Sequence, residues 1–237
     1  MNCKKSVMKQ DEIKCKNCDM RSSTFSVLSF NELSILDDNC SKIEFQKGEL
    51  IFKEGSPAKL ITYIRNGYVK LTKKGISGKE HILSISKKGS YLCLQNLNEK
   101  NDANFYSAYA ITDTQVCQLD IEKFDHLLKS NGNFASEVLT CIVDDEMNYF
   151  VRLLNNVQQQ LPGRLANTLL YFFHQVYNEN PFTLNLTKTE LASLIGTSRA
   201  SVTRLLKSFQ SDGIIKMERN ELFISDEVKL VEIAKKG

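Results

Sequence analysis

Nowhere in the sequence does an apolar run approach the ~20 residues that a membrane-crossing helix requires. The opening MNCKKSVMKQDEIKCKNC also lacks the apolar segment of a secretory signal. The expected compartment is therefore the cytoplasm, with no membrane partner. A surplus of one charge sign is missing too: 31 Lys and Arg stand against 28 Asp and Glu, a net +3. That is too little for the whole surface to attract nucleic acid, so any basic patch has to be local. Internal repeats and low-complexity tracts are absent. So are a phosphate-cradling strand–turn–helix loop, a nucleophile elbow and a carboxylate pair, and the chain is expected not to be an enzyme. Lys188 and Glu190 resemble a catalytic pair only superficially, because a helix-capping turn accounts for both.

What is present is a chain of 237 residues, 42% hydrophobic, long enough for two domains and a sizeable core. Its seven cysteines (Cys3, Cys15, Cys18, Cys40, Cys93, Cys117, Cys141) are an odd number. In a reducing compartment they read as thiols or metal ligands before disulfides. From Ile43 to Leu119 short β-branched and aromatic runs alternate with Gly48, Gly55, Gly67, Gly78 and Gly89. This is the pattern of an antiparallel barrel or double-sheet jelly roll. The period then changes. Val143, Met147, Phe150, Leu154, Val157 and Leu161 recur at alternating steps of four and three, along one face of a long helix. That face either packs on its own barrel or meets a symmetry mate; a repeat nearer ~3.5 than ~3.6 residues favours the dimer seam. Pro162 and Gly163 mark the expected end of the helix.

In LTKTELASLIG, Thr187 and Glu190 make the reciprocal pairing of a capping box, and Leu191, Leu194 and Ile195 share one side before Gly196 turns the chain. A second helix follows, capped by Ser198, with Val202, Leu205, Leu206 and Phe209 as its buried stripe. The opposite face carries Arg199, Ser201, Thr203, Arg204 and Lys207. Segment 198–207 holds no acid to repel phosphates. Arginine presents paired donors to guanine N7 and O6, while hydroxyls and lysine serve phosphates and mixed base edges. Ser198, Arg199, Ser201, Thr203, Arg204 and Lys207 are thus the candidate DNA contacts of a helix-turn-helix. GIIKMERNELFISD reads as a hairpin wing around Glu218–Glu221, with Lys216 or Arg219 near the backbone.

Barrel, long helix and winged helix-turn-helix in this order resemble the CRP/FNR family of bacterial transcription regulators, from about Phe25 to the C-terminus. The stretches that carry the likeness are KGELIFKEGS, IRNGYVKL, GKEHILSI, FYSAYAITDTQVCQLDIEKF and GTSRASVTRLLKSFQSDGII. The implied fold class is α+β: a cysteine-containing arm (1–24), a cyclic-nucleotide-binding-like sensor jelly roll (25–133), a dimerisation helix (134–161) and a winged helix-turn-helix (162–237). The resemblance implies a homodimer with Val143, Met147, Phe150, Leu154 and Val157 in its interface. It also implies a redox, gas or small-molecule signal at the barrel, and double-stranded DNA and RNA polymerase as partners. Half-sites of a palindrome would lie about one helical turn apart. The alternative is a signal-binding module whose helix-turn-helix serves protein interaction; Arg199 and Arg204 on one exposed face argue against it.

Several positions depart from the family pattern. Where members that bind cyclic AMP hold the ribose with a glutamate and the phosphate with an arginine, this chain has Leu94 and Tyr106. A cyclic phosphate would lack its charge partner, so cyclic AMP is disfavoured as the effector. At the DNA face Ala200 stands where a glutamate usually accepts from cytosine N4, and a different half-site base pair is expected. KCKNCDMRSSTF resembles the branch that holds an iron–sulfur cluster through three N-terminal cysteines and one in the barrel. Cys15, Cys18 and Cys117 match it as candidate metal ligands; Thr24 occupies the third N-terminal place, and Cys3 is the candidate fourth ligand. A cluster, zinc or a redox dithiol at Cys15 and Cys18, and no bound ligand all remain open. His81, in a barrel strand, is a candidate to approach a haem, against the commoner structural role of a strand histidine.

Overall fold

The computed structural model describes residues 23–38, 40–76, 78–98 and 102–237. Cys3, Cys15 and Cys18, and nearly all of the expected arm, lie outside them. The chain divides into two compact units: the described residues through Glu80 with Ile85–Glu146, and Met147–Gly237 with His81–Ser84.

Two short helices, α1 (Ser23–Ser26) and α2 (Phe30–Asp38), precede the strands β1 (Cys40–Phe45), β2 (Leu50–Phe52), β3 (Leu60–Asn66), β4 (Val69–Lys74), β5 (Glu80–Ser86), β6 (Tyr91–Leu92), β7 (Ser107–Ala110) and β8 (Thr114–Asp120), which apart from His81–Ser84 of β5 belong to the first unit. They form two four-stranded sheets, ordered β1-β8-β3-β6 and β2-β7-β4-β5. This is the double-sheet jelly roll expected from the glycine-punctuated runs. β3 is buried without interruption from Ile61 to Arg65, the polar Thr62 and Arg65 included. Between β3 and β4 the chain reverses at Gly67, whose φ is +90°. A Cβ there would lie 2.5 Å from Thr114 Oγ1 and 2.6 Å from the Asp113 carbonyl, so the turn accepts glycine alone.

The core of this unit is largely aromatic. Phe25 meets Tyr63 edge-on at 5.5 Å, Tyr63 lies 5.0 Å from Tyr91, and Phe124 meets Phe134 at 5.4 Å. Leu33 and Leu36 of α2 join the same cluster, as do Cys117 and Leu119 of β8. Asp120 caps the next helix, α3 (Ile121–Ser130), accepting from the amides of Glu122 and Lys123 at 3.0 and 3.1 Å. Asn131 then caps α4 (Gly132–Gln158) by accepting from the Phe134 amide at 3.0 Å.

The end of α4 corrects the sequence reading. The helix runs from Gly132 to Gln158, not 134–161, and Leu161, Pro162 and Gly163 open a new helix, α5 (Leu161–Tyr171). Proline lacks the N–H that a first-turn residue has no intrahelical use for, so here it starts a helix instead of stopping one. Leu161, placed by its spacing on the apolar face of the long helix, consequently belongs to α5. After a π-helical turn (Phe172–Tyr177), the second unit continues through β9 (Phe182–Thr183), α6 (Lys188–Leu194), α7 (Arg199–Ser211), β10 (Ile215–Glu218), β11 (Glu221–Ile224) and α8 (Glu227–Lys236). Its core includes Leu165, Leu169, Phe172, Leu191, Ile195, Val202, Leu206 and Leu230, all fully buried.

Candidate nucleic-acid interface

The helix-turn-helix is set by local signals. The Thr187 amide donates to Glu190 Oε2 at 2.8 Å and the Glu190 amide donates to Thr187 Oγ1 at 3.2 Å, which completes the capping box that starts α6. Gly196, at φ +68°, lets the chain leave α6, and the Thr197 amide returns to the Ala192 carbonyl at 2.9 Å. Ser198 Oγ accepts from the Ser201 amide at 3.1 Å and starts α7. Replacing Ser198 with alanine removes that acceptor and is expected to cost ~1 kcal/mol; Ser198→Gly is expected to cost only a few tenths. Thermal unfolding of both variants tests the cap, and a Ser198→Ala variant as stable as the parent would show that it contributes nothing.

Val202, Leu206 and Phe209 turn inward as expected, while Leu205 is only half-buried. Ser198, Arg199, Arg204 and Lys207 are exposed, and Ser201 and Thr203 half-buried. Among the described residues no acid pairs with Arg199, Arg204 or Lys207. The hydroxyls are already partly engaged: Ser201 Oγ lies 3.0 Å from Ser198 Oγ, and Thr203 Oγ1 donates to the Arg199 carbonyl at 2.9 Å. Their remaining capacity is mainly as acceptors, so the basic side chains supply the free donors of this face. The first turn of α7 holds no acid, and its helix dipole adds to the positive field.

The wing is the antiparallel pair β10–β11, with Glu218 opposite Glu221 and Arg219 at the tip in a left-handed conformation, φ +54°. Lys216 and Arg219 are both exposed. Sequence reading missed the third strand, β9, which pairs with β11 through Phe182 and Leu222. Asn180 holds it by donating to the Ile224 carbonyl and accepting from the Ile224 amide, both at 3.0 Å. A two-residue strand leaves too little alternation to be seen in advance.

All five proposed seam residues lie on α4 with exposed side chains, from 45% exposure at Val143 to 76% at Val157. Leu139, Ile142, Tyr149, Val151 and Leu153 are exposed as well. The uncovered apolar surface is therefore wider than the spacing alone suggested.

In the jelly roll, Tyr106 is buried and its hydroxyl accepts from the Cys93 amide at 2.9 Å. Burial pushes that hydroxyl well above the usual phenol range and the Cys93 thiol up to about 12, so both stay neutral. Leu94 opens a 3-10 turn, Leu94–Leu97, in which buried Asn96 donates to Asn104 Oδ1 at 2.8 Å; Asn104 in turn donates to Ser56 Oγ at 3.0 Å. This polar chain leaves no periodic trace in the sequence and was missed. His81 is exposed on β5. Thr24, at the third ligand place of the cluster pattern, is buried and shares a short hydrogen bond with the Tyr91 hydroxyl. A hydroxyl committed to a tyrosine is no thiolate ligand, and among the described residues no group of three or more His, Cys, Asp or Glu is placed to hold a metal ion. Of the candidate thiolates only Cys117 lies among the described residues. Cys117 is instead hydrogen-bonded by the Cys40 thiol, which holds its sulfur below the usual thiol range; Arg65 and Lys42 act in the same direction, against burial and Asp37.

Residues 42–131 match the family model of the cyclic nucleotide-binding domain, and residues 163–233 that of the Crp-like helix-turn-helix domain. Electron transport regulator A of Shewanella oneidensis is 25% identical over 224 residues, which cover 92% of this chain and 89% of that protein. The transcriptional activator protein Anr of Pseudomonas protegens is 22% identical over 226 residues, or 93% and 92% of the two chains. Among solved structures, FixK2 from Bradyrhizobium japonicum shares the fold with a TM-score of 0.74 at 17% identity, covering 82% of this chain and 96% of that one. A jelly roll of the cyclic-nucleotide-binding type followed by a helix-turn-helix defines a DNA-binding transcription regulator. The chain belongs to the CRP/FNR family.

Proposed function

We propose that the chain binds a palindromic operator sequence-specifically as a homodimer, and that a redox, gas or small-molecule signal received by the jelly roll governs this binding. The observation that carries the reading is the exposed face of α7, where Arg199, Arg204 and Lys207 project beside two serines with no acid against them. The uncovered apolar face of α4 supports the two-fold assembly, because a palindrome requires two copies of α7 in symmetric register. RNA polymerase is the further partner this reading implies. Among the described residues no helix is long and apolar enough to cross a membrane. Selection of bound fragments from genomic DNA, followed by footprinting, tests the reading. Two inverted half-sites with centres ~34–36 Å apart are expected, and fragments without inverted symmetry would sink it.

Cyclic AMP is not the expected signal. Its phosphate stays anionic at neutral pH, whereas Tyr106 offers a neutral hydroxyl that already accepts from Cys93, and Leu94 offers the ribose no acceptor. Two missing polar partners at ~1–3 kcal/mol each weaken binding by orders of magnitude. Calorimetric titration with cyclic AMP is expected to show no saturable heat at micromolar concentration. Micromolar binding would show that another cation has replaced the arginine.

A further inference from the structure

Within the first unit two cysteines meet that the sequence keeps far apart. β1 pairs antiparallel with β8 so that Cys40 faces Leu119 and Lys42 faces Cys117. Cys40 and Cys117 are therefore diagonal neighbours on one face of the sheet. Their side chains touch, the Cys40 thiol donating to the Cys117 sulfur. Their accessibility differs in a useful way: Cys40 is half-exposed, whereas Cys117 is 6% exposed and packed in the aromatic cluster. An oxidant from solvent reaches Cys40 first, and the resolving thiol is already in contact.

We propose that Cys40 and Cys117 form a redox-active dithiol, oxidised by hydroperoxides to an intramolecular disulfide, through which this unit alters DNA binding. With hydrogen peroxide the Cys40 sulfur attacks one peroxide oxygen, the O–O bond breaks, and the departing hydroxide takes the Cys40 thiol proton to leave as water. Cys40 is then a sulfenic acid. The Cys117 sulfur attacks the Cys40 sulfur, an S–S bond forms, and the sulfenic oxygen departs as a second water. Overall two thiols and one hydrogen peroxide give one disulfide and two waters, the thiols being oxidised and the peroxide reduced.

The fold supplies both the freedom to close the bond and a route outward. Diagonal cross-strand Cβ atoms stand wider than the ~3.8 Å typical of a disulfide, so closure requires backbone movement. Cys40 is the first residue of β1, and among the described residues β1 is an edge strand, so the movement falls at a strand end and not within the sheet. α2 ends two residues before Cys40, and its Leu33 and Leu36 pack in the cluster that holds Cys117. From α2, Glu32 accepts from the Asn131 side chain at 3.0 Å, and Asn131 caps α4. A displaced β1 end thus bears on the start of the helix that carries the proposed seam.

The regulatory half of this inference rests on the operator reading above, while the thiol chemistry can be tested without it. The full-length protein, reduced under anaerobic conditions, is treated with hydrogen peroxide and mapped as non-reduced peptides. A peptide joining Cys40 to Cys117, released by dithiothreitol, is expected. It is expected to persist when Cys3, Cys15 and Cys18 are all serine, and in Cys141→Ser, and to vanish in Cys40→Ser. Cys40 and Cys117 left unjoined, or joined to other cysteines, would overturn the proposal; so would iron or zinc that Cys40→Ser releases. The unsubstituted protein supplies the map, so a misfolded variant cannot hide the answer. Oxidation is expected to change affinity for the selected operator about tenfold, with Cys40→Ser unresponsive. Equal affinity in both states, with the disulfide mapped, would overturn the regulatory role. A protein that selects no DNA in either state would instead defeat the operator reading, and the peptide map would still decide the thiol chemistry.

Discussion

Phe150→Glu is expected to turn a dimer into folded monomers. On α4, Met147, Phe150 and Leu154 present side chains that are 51–56% exposed. An isolated helix with this much apolar surface on the heptad positions is incomplete in water. Burial of each such side chain against a symmetry mate contributes ~1.5–3 kcal/mol, and the two-fold axis counts every contact twice. Glutamate at position 150 would place two like charges in that seam, each costing several kcal/mol to desolvate without a partner. Because Phe150 packs little within its own chain, the fold itself is expected to survive. Sedimentation should then report a monomer whose circular dichroism matches the parent. A variant that sediments like the parent would place the seam elsewhere.

Arg204→Ala is expected to lower operator affinity by ~1–3 kcal/mol and to blur the preference at one base pair, since a bidentate contact to a base edge is lost. Arg204 is exposed on α7, and among the described residues nothing pairs with it, so its loss has little to disturb in the free protein. Lys207→Ala serves as the comparison. A phosphate contact carries no sequence information, and its loss is expected to weaken all sites alike and to flatten the salt dependence. Repeating the fragment selection with each variant separates the two roles. An unchanged sequence preference in Arg204→Ala would remove that residue from base reading.

Which features were legible in the sequence follows from the range of the interactions behind them. The capping box at Thr187 and Glu190, the turn at Gly196 and the stripe of Val202, Leu206 and Phe209 arise within a few residues of one another, and each appears where the sequence places it. The glycine-punctuated strands were legible for the same reason. Pro162 was misjudged because proline is compatible with both a helix end and a helix start, and the deciding context lies in the backbone around it. The link from Asn96 through Asn104 to Ser56, and the contact of Cys40 with Cys117, depend on which strands become neighbours. No local pattern encodes that. Position 24 illustrates the same limit: its mismatch to a cysteine motif was visible in the sequence, its engagement with Tyr91 was not.

The pairing of β1 with β8 also sets an order of events during synthesis. The ladder joins residue 40 to residue 119, whereas β10 and β11 close across the turn at Arg219 and Asn220. Closing a long loop costs more entropy before any contact repays it, so the β1–β8 ladder closes slowly, whereas the wing closes fast once its two strands have been made. β1 leaves the ribosome long before β8, its one strand partner among the described residues, exists. Throughout that interval it is an unpaired strand, open to association with other nascent chains. Its sequence, CSKIEF, sets Lys42 and Glu44 on either side of Ile43. Charges placed beside the apolar residues of a waiting strand oppose such association until β8 arrives.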